Sequence, residues 1–554
     1  MEELPTELNV ITLNCWGLLH LSKYRAERLT AIGRELAAAD PPPHIVALQE
    51  CWTQEDYRSI RRETRFVLPF GKFYYSGVFG GGLAILSRWP IEESTMFRYP
   101  LNGRPTAFFR GDWFVGKGVA CARIRYGAGE HDVVEVFNTH THAIYEHPPD
   151  KTDSYLVHRL AQSWEMAKLV RGAAERGHLA LALGDFNDVP LSLPYRMLTA
   201  HAPIKDAWRV LNPDSSLGSA VHELERARRR PIPSAQYNIV ENGVTSNSAY
   251  NTWRWPKSEQ RALRSGKRPM VIPPDTPDPR GKRIDYIFFS PQVSVTPGSS
   301  ATAAAAARTS HDTGGGTCTK GWVVKDVRVG MLARHPDLGP RNSSARRLLP
   351  PIDQTAKTTT PLPSSPSSTA LTSNPPRDPS TASALASTRA PPSTINSALP
   401  PAFPSSAARR GDGLPCTTYD EVLALVRTYS SRERAQRRWR MFHFFAWALV
   451  VVACYVAVWF VGDLHPGVAF AFLVLSSLGF LAGALDGLMG LLFFGSEVRA
   501  LEEFEWEIMN AKASASGAHG LAQQQIDEEE GEDEEEGGRS RGASAKGGGN
   551  EKGW

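Results

Sequence analysis

Over roughly the first half of the chain, short apolar runs that each close on a polar residue alternate with stretches of helical period. Leu8–Gly17 (LNVITLNCWG) alternates apolar and polar positions and predicts a strand running into a turn, with Asn14 at its end. Ser22–Ala39 places Leu29, Ile32, Gly33 and Leu36 on one face and predicts a helix capped by Ser22. His44–Trp52 (HIVALQECW) is a continuous apolar run, as in a sheet covered on both faces, and carries Glu50 at its end. Gly80–Arg88 is a glycine-rich turn feeding another strand. Val133–Ala143 (VVEVFNTHTHA) puts Asn138, His140 and His142 on one face of an extended strand. A long helix is predicted over Thr152–Gly177, and Leu179–Pro190 (LALALGDFNDVP) follows. There an apolar strand breaks at Gly184, and Asp185 and Asn187, two residues apart, face one side. Residues 196–279 are loop-rich and basic; Arg283–Ser290 (RIDYIFFS) is the last clear strand and contains Asp285.

Beyond Pro297 the pattern collapses. The reading is a catalytic unit over 1–333 with a low-complexity insertion at about 297–317, then a Pro/Ser/Thr-rich disordered linker over 334–416. Residues 417–510 follow as a basic helix and two apolar segments, 441–461 and 468–494, each long enough for a bilayer span. Residues 511–554 form an acidic tail expected to be disordered. The arginines between 427 and 440 stand beside the first apolar segment, and basic flanks stay on the cytosolic side. The expectation is therefore a two-span membrane protein with catalytic unit and tail in the cytosol, in contact with anionic phospholipid; the endoplasmic reticulum or the mitochondrion is the membrane expected, though no residue pattern fixes the organelle.

Composition adds little. The net charge of +4 over 554 residues argues neither for nor against a nucleic-acid partner. The cysteines at 15, 51, 121, 318, 416 and 454 form no close pair, so neither a zinc site nor a disulfide framework is indicated, which fits a reducing compartment. His140 and His142 lack a third zinc ligand nearby. Residues 110–120 (RGDWFVGKGVA) match a nucleotide-binding loop up to the lysine, but Gly118 replaces the metal-holding Ser or Thr and no helix follows. A nucleotide is thereby rejected, and what remains is Asp112 and Lys117 in a glycine-flanked segment. Four strand ends carrying Asn14, Glu50, His140 and the Asp185/Asn187 pair converge on one rim of a packed sheet, a pattern that suits hydrolysis at a phosphate.

The order LNCWGL, ALQECW, NTHTHA, GDFNDVP and RIDYIF resembles the endonuclease/exonuclease/phosphatase superfamily with the deoxyribonuclease I-like fold, and within it the neutral sphingomyelinases. The apolar hairpin and RGDWFVGKG look most like the fungal inositol phosphosphingolipid phospholipases C. The resemblance implies an α/β, four-layer α/β/β/α sandwich with a C-terminal two-helix transmembrane hairpin, acting as a Mg²⁺-dependent phospholipase C on a sphingolipid. It implies that Glu50 binds Mg²⁺ with Asn14 close by, Asp185 orients water, Asn187 holds the phosphate, His140 donates to a phosphoryl oxygen and Asp285 supports the cluster. It also implies that Asp112 and Lys117 gate the substrate. One element of that pattern is missing: the sequence contains no Asp-His dipeptide, where the family carries a Ser-Asp-His base. His311-Asp312 has the reverse order, and His335 with Asp337 is a weak substitute. Losing such a base costs on the order of 10²–10⁴-fold in rate. The competing readings are a lipid-binding scaffold without turnover and a nuclease of the same superfamily, the latter opposed by the apolar hairpin.

Overall fold

The computed structural model describes residues 5–19, 22, 24–107, 110–145, 155–259, 271–294, 319–330, 353–359, 414–461 and 466–517. The strands are β1 (Glu7–Asn14), β2 (Ile45–Gln49), β3 (Phe70–Tyr74), β4 (Leu83–Ser87), β5 (Ile91–Arg98), β6 (Gly118–Arg125) and β7 (Val133–His140). They continue with β8 (Leu179–Asp185), β9 (Lys205–Asp206), β10 (Asp285–Phe289), β11 (Gln292–Ser294), β12 (Thr319–Gly321), β13 (Val323–Gly330) and β14 (Asp353–Thr359). One mixed sheet has the order β13-β14-β1-β2-β4-β3, a second has β5-β6-β7-β8-β10-β9, and β11 pairs with β12.

The two sheets face each other. Val10, Ile45, Ala47 and Ile85 of the first meet Ala120, Ile124, Val134, Val136, Leu181 and Ile287 of the second in one core. Behind the first sheet, Leu13, Val46 and Leu48 pack on Leu29, Ile32, Leu36 and Ile60 of helices α1 (Arg25–Ala37) and α2 (Gln54–Thr64). After the short α3 (Asp112–Val115), helix α4 (Leu156–Glu175) covers the back of the second sheet through Met166, Ala167 and Val170, joined by Leu198 of α5 (Leu193–His201). This is the expected four-layer α/β/β/α arrangement. It explains the uninterrupted apolar runs of β2 and β8, whose residues are buried on both faces.

Helix α1 begins three residues later than Ser22, after Tyr24 in the left-handed region, and the Ser22 hydroxyl donates to the Leu18 carbonyl instead of capping. The 110–120 segment holds α3 between two left-handed glycines, Gly111 and Gly116, and runs into β6. Two expectations of disorder are corrected. Asp353–Thr359, inside the presumed linker, forms β14 between β1 and β13, its backbone supplying ladder partners to both. The terminal helix continues to Ala515, five residues into the presumed tail. The rest of the linker and tail, the insertion at 297–317 and His335 lie outside the described residues.

At the C-terminus a single helix runs from Cys416 to Val458, a second covers Pro466–Leu488, and a π-helical turn at Met489–Phe493 leads into the terminal helix Phe494–Ala515. Two of these are long and apolar enough to cross a membrane, and their apolar windows are largely exposed. Gly479, Gly483 and Gly487 let Trp447 and Phe444 approach the second helix closely. The start of the first helix behaves differently: Tyr419, Val422, Leu423 and Val426 pack with Leu501, Phe504 and Ile508 onto Leu160, Ala161 and Trp164 of α4. A buried polar seam borders this contact. Tyr429 Oη donates to Glu497 Oε1 (2.7 Å) and accepts from Arg104 Nε (2.8 Å) and His158 Nε2 (2.8 Å). His158 Nδ1 in turn accepts from the Gly103 amide at 2.8 Å, which fixes the tautomer. Arg104 also pairs with Glu433 at 3.4 Å, and Glu433 is wholly buried.

Candidate active site

Strand pairing alone brings the predicted ends together. His140 lies opposite Asp185 in the parallel β7–β8 register, and Asp285 lies opposite Asp185 in the antiparallel β10–β8 register. Gly184 is what lets β7 and β8 close: at φ +139° it sits where a Cβ would fall 1.9 Å from the Thr139 carbonyl oxygen. From the other sheet, Asn14 ends β1 and Glu50 follows β2, itself in the left-handed region at φ 52°. The Asn14 amide bridges the two sheets, donating to Glu50 Oε1 at 3.1 Å and to Asp185 Oδ2 at 3.0 Å. His140 Nε2 stands 3.8 Å from Asp185 Oδ2, beyond hydrogen-bond range. Below this rim a second cross-sheet bridge locks the layers, with Gln49 Nε2 donating to Asn138 Oδ1 at 2.7 Å.

Asn187, at φ 50°, donates its backbone amide to Asp185 Oδ1 at 2.9 Å and its side-chain amide to the Thr141 carbonyl at 3.1 Å. Lys117 donates to that same carbonyl at 2.6 Å and pairs with Asp112 at 2.7 Å, so the predicted gating pair is closed on itself beside the rim. Tyr145 donates to Asp112, and His142 is buried, stacked on Tyr155 at 4.0 Å with Asp112 at 3.8 Å. His142 is thus a satisfied neighbour of the gating pair. The aromatic ring of Trp113, within α3, meets Phe493 of the π-helical turn edge-on at 4.9 Å.

Electrostatics follow from burial. Burial pushes the Glu50 carboxyl up, the Asn14 hydrogen bond pulls it down, and the charge of Asp185 raises it again. His140 is pushed down to about 4, chiefly by burial and then by Lys117, so its ring is neutral near pH 7. Burial alone would raise Asp112, but Lys117 and His142 outweigh it and hold the acid at about 2. Glu50 Oε2 is buried with no hydrogen-bond partner; Trp52 Nε1, also unpartnered, faces it without bonding geometry. An orphaned carboxylate oxygen beside Asn14 and Asp185 suits a hard cation. Among the described residues no three His, Cys, Asp or Glu side chains converge as a complete metal cage.

The structure adds residues that the strand-end pattern does not reveal. Thr141 serves through its carbonyl, which no side-chain pattern marks. Arg28 is fully buried and donates to the carbonyls of Cys15 (2.9 Å) and Trp16 (2.6 Å), fixing the turn that aims Asn14. Lys282, three residues before Asp285, stands near Asp188 and Asp185. A cavity of about 380 Å³ lined by Ser216, Arg226, Arg230, Tyr237 and Asn242 includes none of the rim residues.

Among curated proteins, the chain is 42% identical over 291 residues to an inositol phosphosphingolipids phospholipase C of Schizosaccharomyces pombe, covering 52% of this chain and 62% of that protein. It is 27% identical over 526 residues to the protein of the same name in Saccharomyces cerevisiae, covering 91% and 90%. Sphingomyelin phosphodiesterase 2 of Rattus norvegicus matches at 33% over 203 residues, 36% of this chain and 46% of that one. The first and third matches therefore span less than two thirds of those relatives' lengths. The Endonuclease/Exonuclease/phosphatase family model matches residues 11–306, a stretch that includes Asn14, Glu50, His140, Asp185, Asn187 and Asp285, and the chain belongs to that family.

Proposed function

We propose that the chain is a Mg²⁺-dependent phospholipase C that cleaves the phosphodiester of a sphingolipid, inositol phosphosphingolipid or sphingomyelin, to ceramide and a phosphorylated head group. The observation that carries this reading is the Asn14 bridge, which sets Glu50, with its orphaned oxygen, against Asp185 at the joined ends of two sheets. Glu50 and Asn14 would hold the ion, which when bound supplies positive charge to offset that of the phosphate. Asp185 is held from two sides, by Asn14 and by the Asn187 backbone, and orients the attacking water. The Asn187 amide has a second hydrogen free to donate to a phosphate oxygen once one is spent on Thr141. His140, neutral near pH 7, donates through a ring N–H as charge builds on the phosphoryl oxygens. Asp285 supports Asp185 from the neighbouring strand, and separation of Asp112 from Lys117 admits the lipid.

The names of the two fungal relatives support the sphingolipid assignment, the exposed apolar helices support a membrane setting, and the arginines beside the first span support a catalytic unit on the cytosolic side. Two of the arginines beside the first span are already spent, Arg427 on Glu505 and Arg434 on Glu502. Arg437 and Arg438, with no ion pair among the described residues, would be the ones to meet anionic lipid. A membrane scaffold that binds lipid without cleaving it is the second reading, favoured by the missing Asp-His dipeptide. Hydrolysis of labelled sphingolipid in liposomes separates the two. Turnover should stop with EDTA, return with Mg²⁺, and lose its metal response in Glu50→Gln while lipid binding persists. Turnover that continues in chelator sinks the magnesium assignment; binding with no turnover in any metal leaves the scaffold.

A further inference from the structure

We propose that Lys282 reads the head group of the substrate, donating from its ammonium to hydroxyl oxygens beside the phosphate, and so favours a polyol head group over one ending in a quaternary ammonium. The proposal rests on the phosphodiester reading above and narrows it to one substrate class.

The backbone at Lys282 is held tightly. Its amide donates to the Ser246 carbonyl at 2.8 Å, and its own carbonyl accepts from Ser246 at 2.9 Å. A Cβ on the preceding Gly281 would meet Asn238 Nδ2 at 2.7 Å and Asp278 Oδ2 at 2.9 Å, so a side chain there would have to push apart that hydrogen-bonded pair. The following Arg283 is fully buried in a two-pronged pair with Asp206, at 3.0 and 2.7 Å. Lys282 is therefore delivered at a fixed place, on the run leading into Asp285 and hence towards the Asp185 rim.

Its charge has no partner there. Among the described residues the ammonium makes neither ion pair nor hydrogen bond, although the side chain is half-buried. The acids that influence it are Asp188 and Asp185, and both are engaged: Asp188 with Arg159 at 2.7 Å, Asp185 with Asn14 and Asn187. Arg159 adds no acceptor, and the neighbouring His222, whose buried Nδ1 is itself without a partner, makes no hydrogen bond to the ammonium. A half-buried ammonium with three unspent donors beside a phosphate site is completed by an oxygen-rich anion. The same charge repels a trimethylammonium, whose usual receptors are aromatic faces or acids.

The test is calorimetric titration of the full-length protein in detergent–lipid micelles with inositol 1-phosphate and with phosphocholine, alongside turnover of the two parent lipids in liposomes. Wild type should bind inositol phosphate the more tightly. Lys282→Met should weaken that binding about tenfold or more, as loss of a charged hydrogen bond does, and leave phosphocholine unchanged or tighter. Lys282→Arg should retain most of the preference, and the turnover ratio should move in step. Equal losses for both head groups would mean that Lys282 only balances the charge of Asp185 and Asp188, and no change in either would remove it from the site; both overturn the inference while the phospholipase reading stands. If wild type binds and cleaves neither, the phospholipase reading falls as well.

Discussion

Gly184 shows how narrowly the rim is built. Any side chain there meets the Thr139 carbonyl at 1.9 Å in a backbone conformation that only glycine adopts without strain. Gly184→Ala should therefore destabilise the fold by at least about 1–3 kcal/mol, read as a lower urea midpoint, and part the ends of β7 and β8. A wild-type midpoint would mean that the strands close less tightly than described. The glycine, like Asn14, Glu50, His140, Asp185 and Asn187, has a place at a strand end that is legible in the sequence, because each stands at or just past the close of an apolar run. Thr141, Arg28 and Lys282 are not legible in this way. Thr141 acts through its backbone, Arg28 through a turn thirteen residues away, and Lys282 through register with a strand that begins three residues later.

Among the elements, the docking of the C-terminal helices on α4 went unseen for a related reason. The stripe of Tyr419, Val422, Val426 and Tyr429 has helical spacing, but its partner surface lies some 260 residues earlier, a distance that periodicity cannot bridge. The polar seam at this contact makes it sensitive to pH. Burial, then the charge of Glu497, pushes Glu433 up to about 7, against the pull of Arg104 and Arg432. A carboxyl raised in the docked state and ordinary in the undocked one favours docking at low pH, and that contribution is lost as pH rises through about 7. Hydrogen-exchange protection over residues 416–433, taken relative to the intrinsic rate at each pH, should accordingly fall between pH 6 and 8, and Glu433→Gln should flatten the response. A profile that stays equally steep in the variant would rule out Glu433 as the titrating group.

For the whole molecule, composition draws a catalytic unit and a membrane hairpin joined by a long linker, and predicts that cutting before Tyr419 releases the first intact. The shared core argues otherwise: the cut strips Tyr419, Val422, Val426, Leu501 and Phe504 from Leu160 and Trp164. The fragment should elute as larger species and unfold at lower urea than the full chain; a monodisperse fragment of equal stability would show the contact to be dispensable. A continuous helix of 43 residues is about 65 Å long at 1.5 Å per residue, roughly twice what a bilayer core requires. If its apolar half spans a membrane, its docked half is a stiff post, and the catalytic rim stands at one height above the lipid. A sphingolipid-cleaving enzyme, as proposed above, would then meet its substrate by lateral diffusion in a plane. Its rate would follow the mole fraction of sphingolipid in the membrane that holds it, and adding more vesicles of the same composition would leave it unchanged.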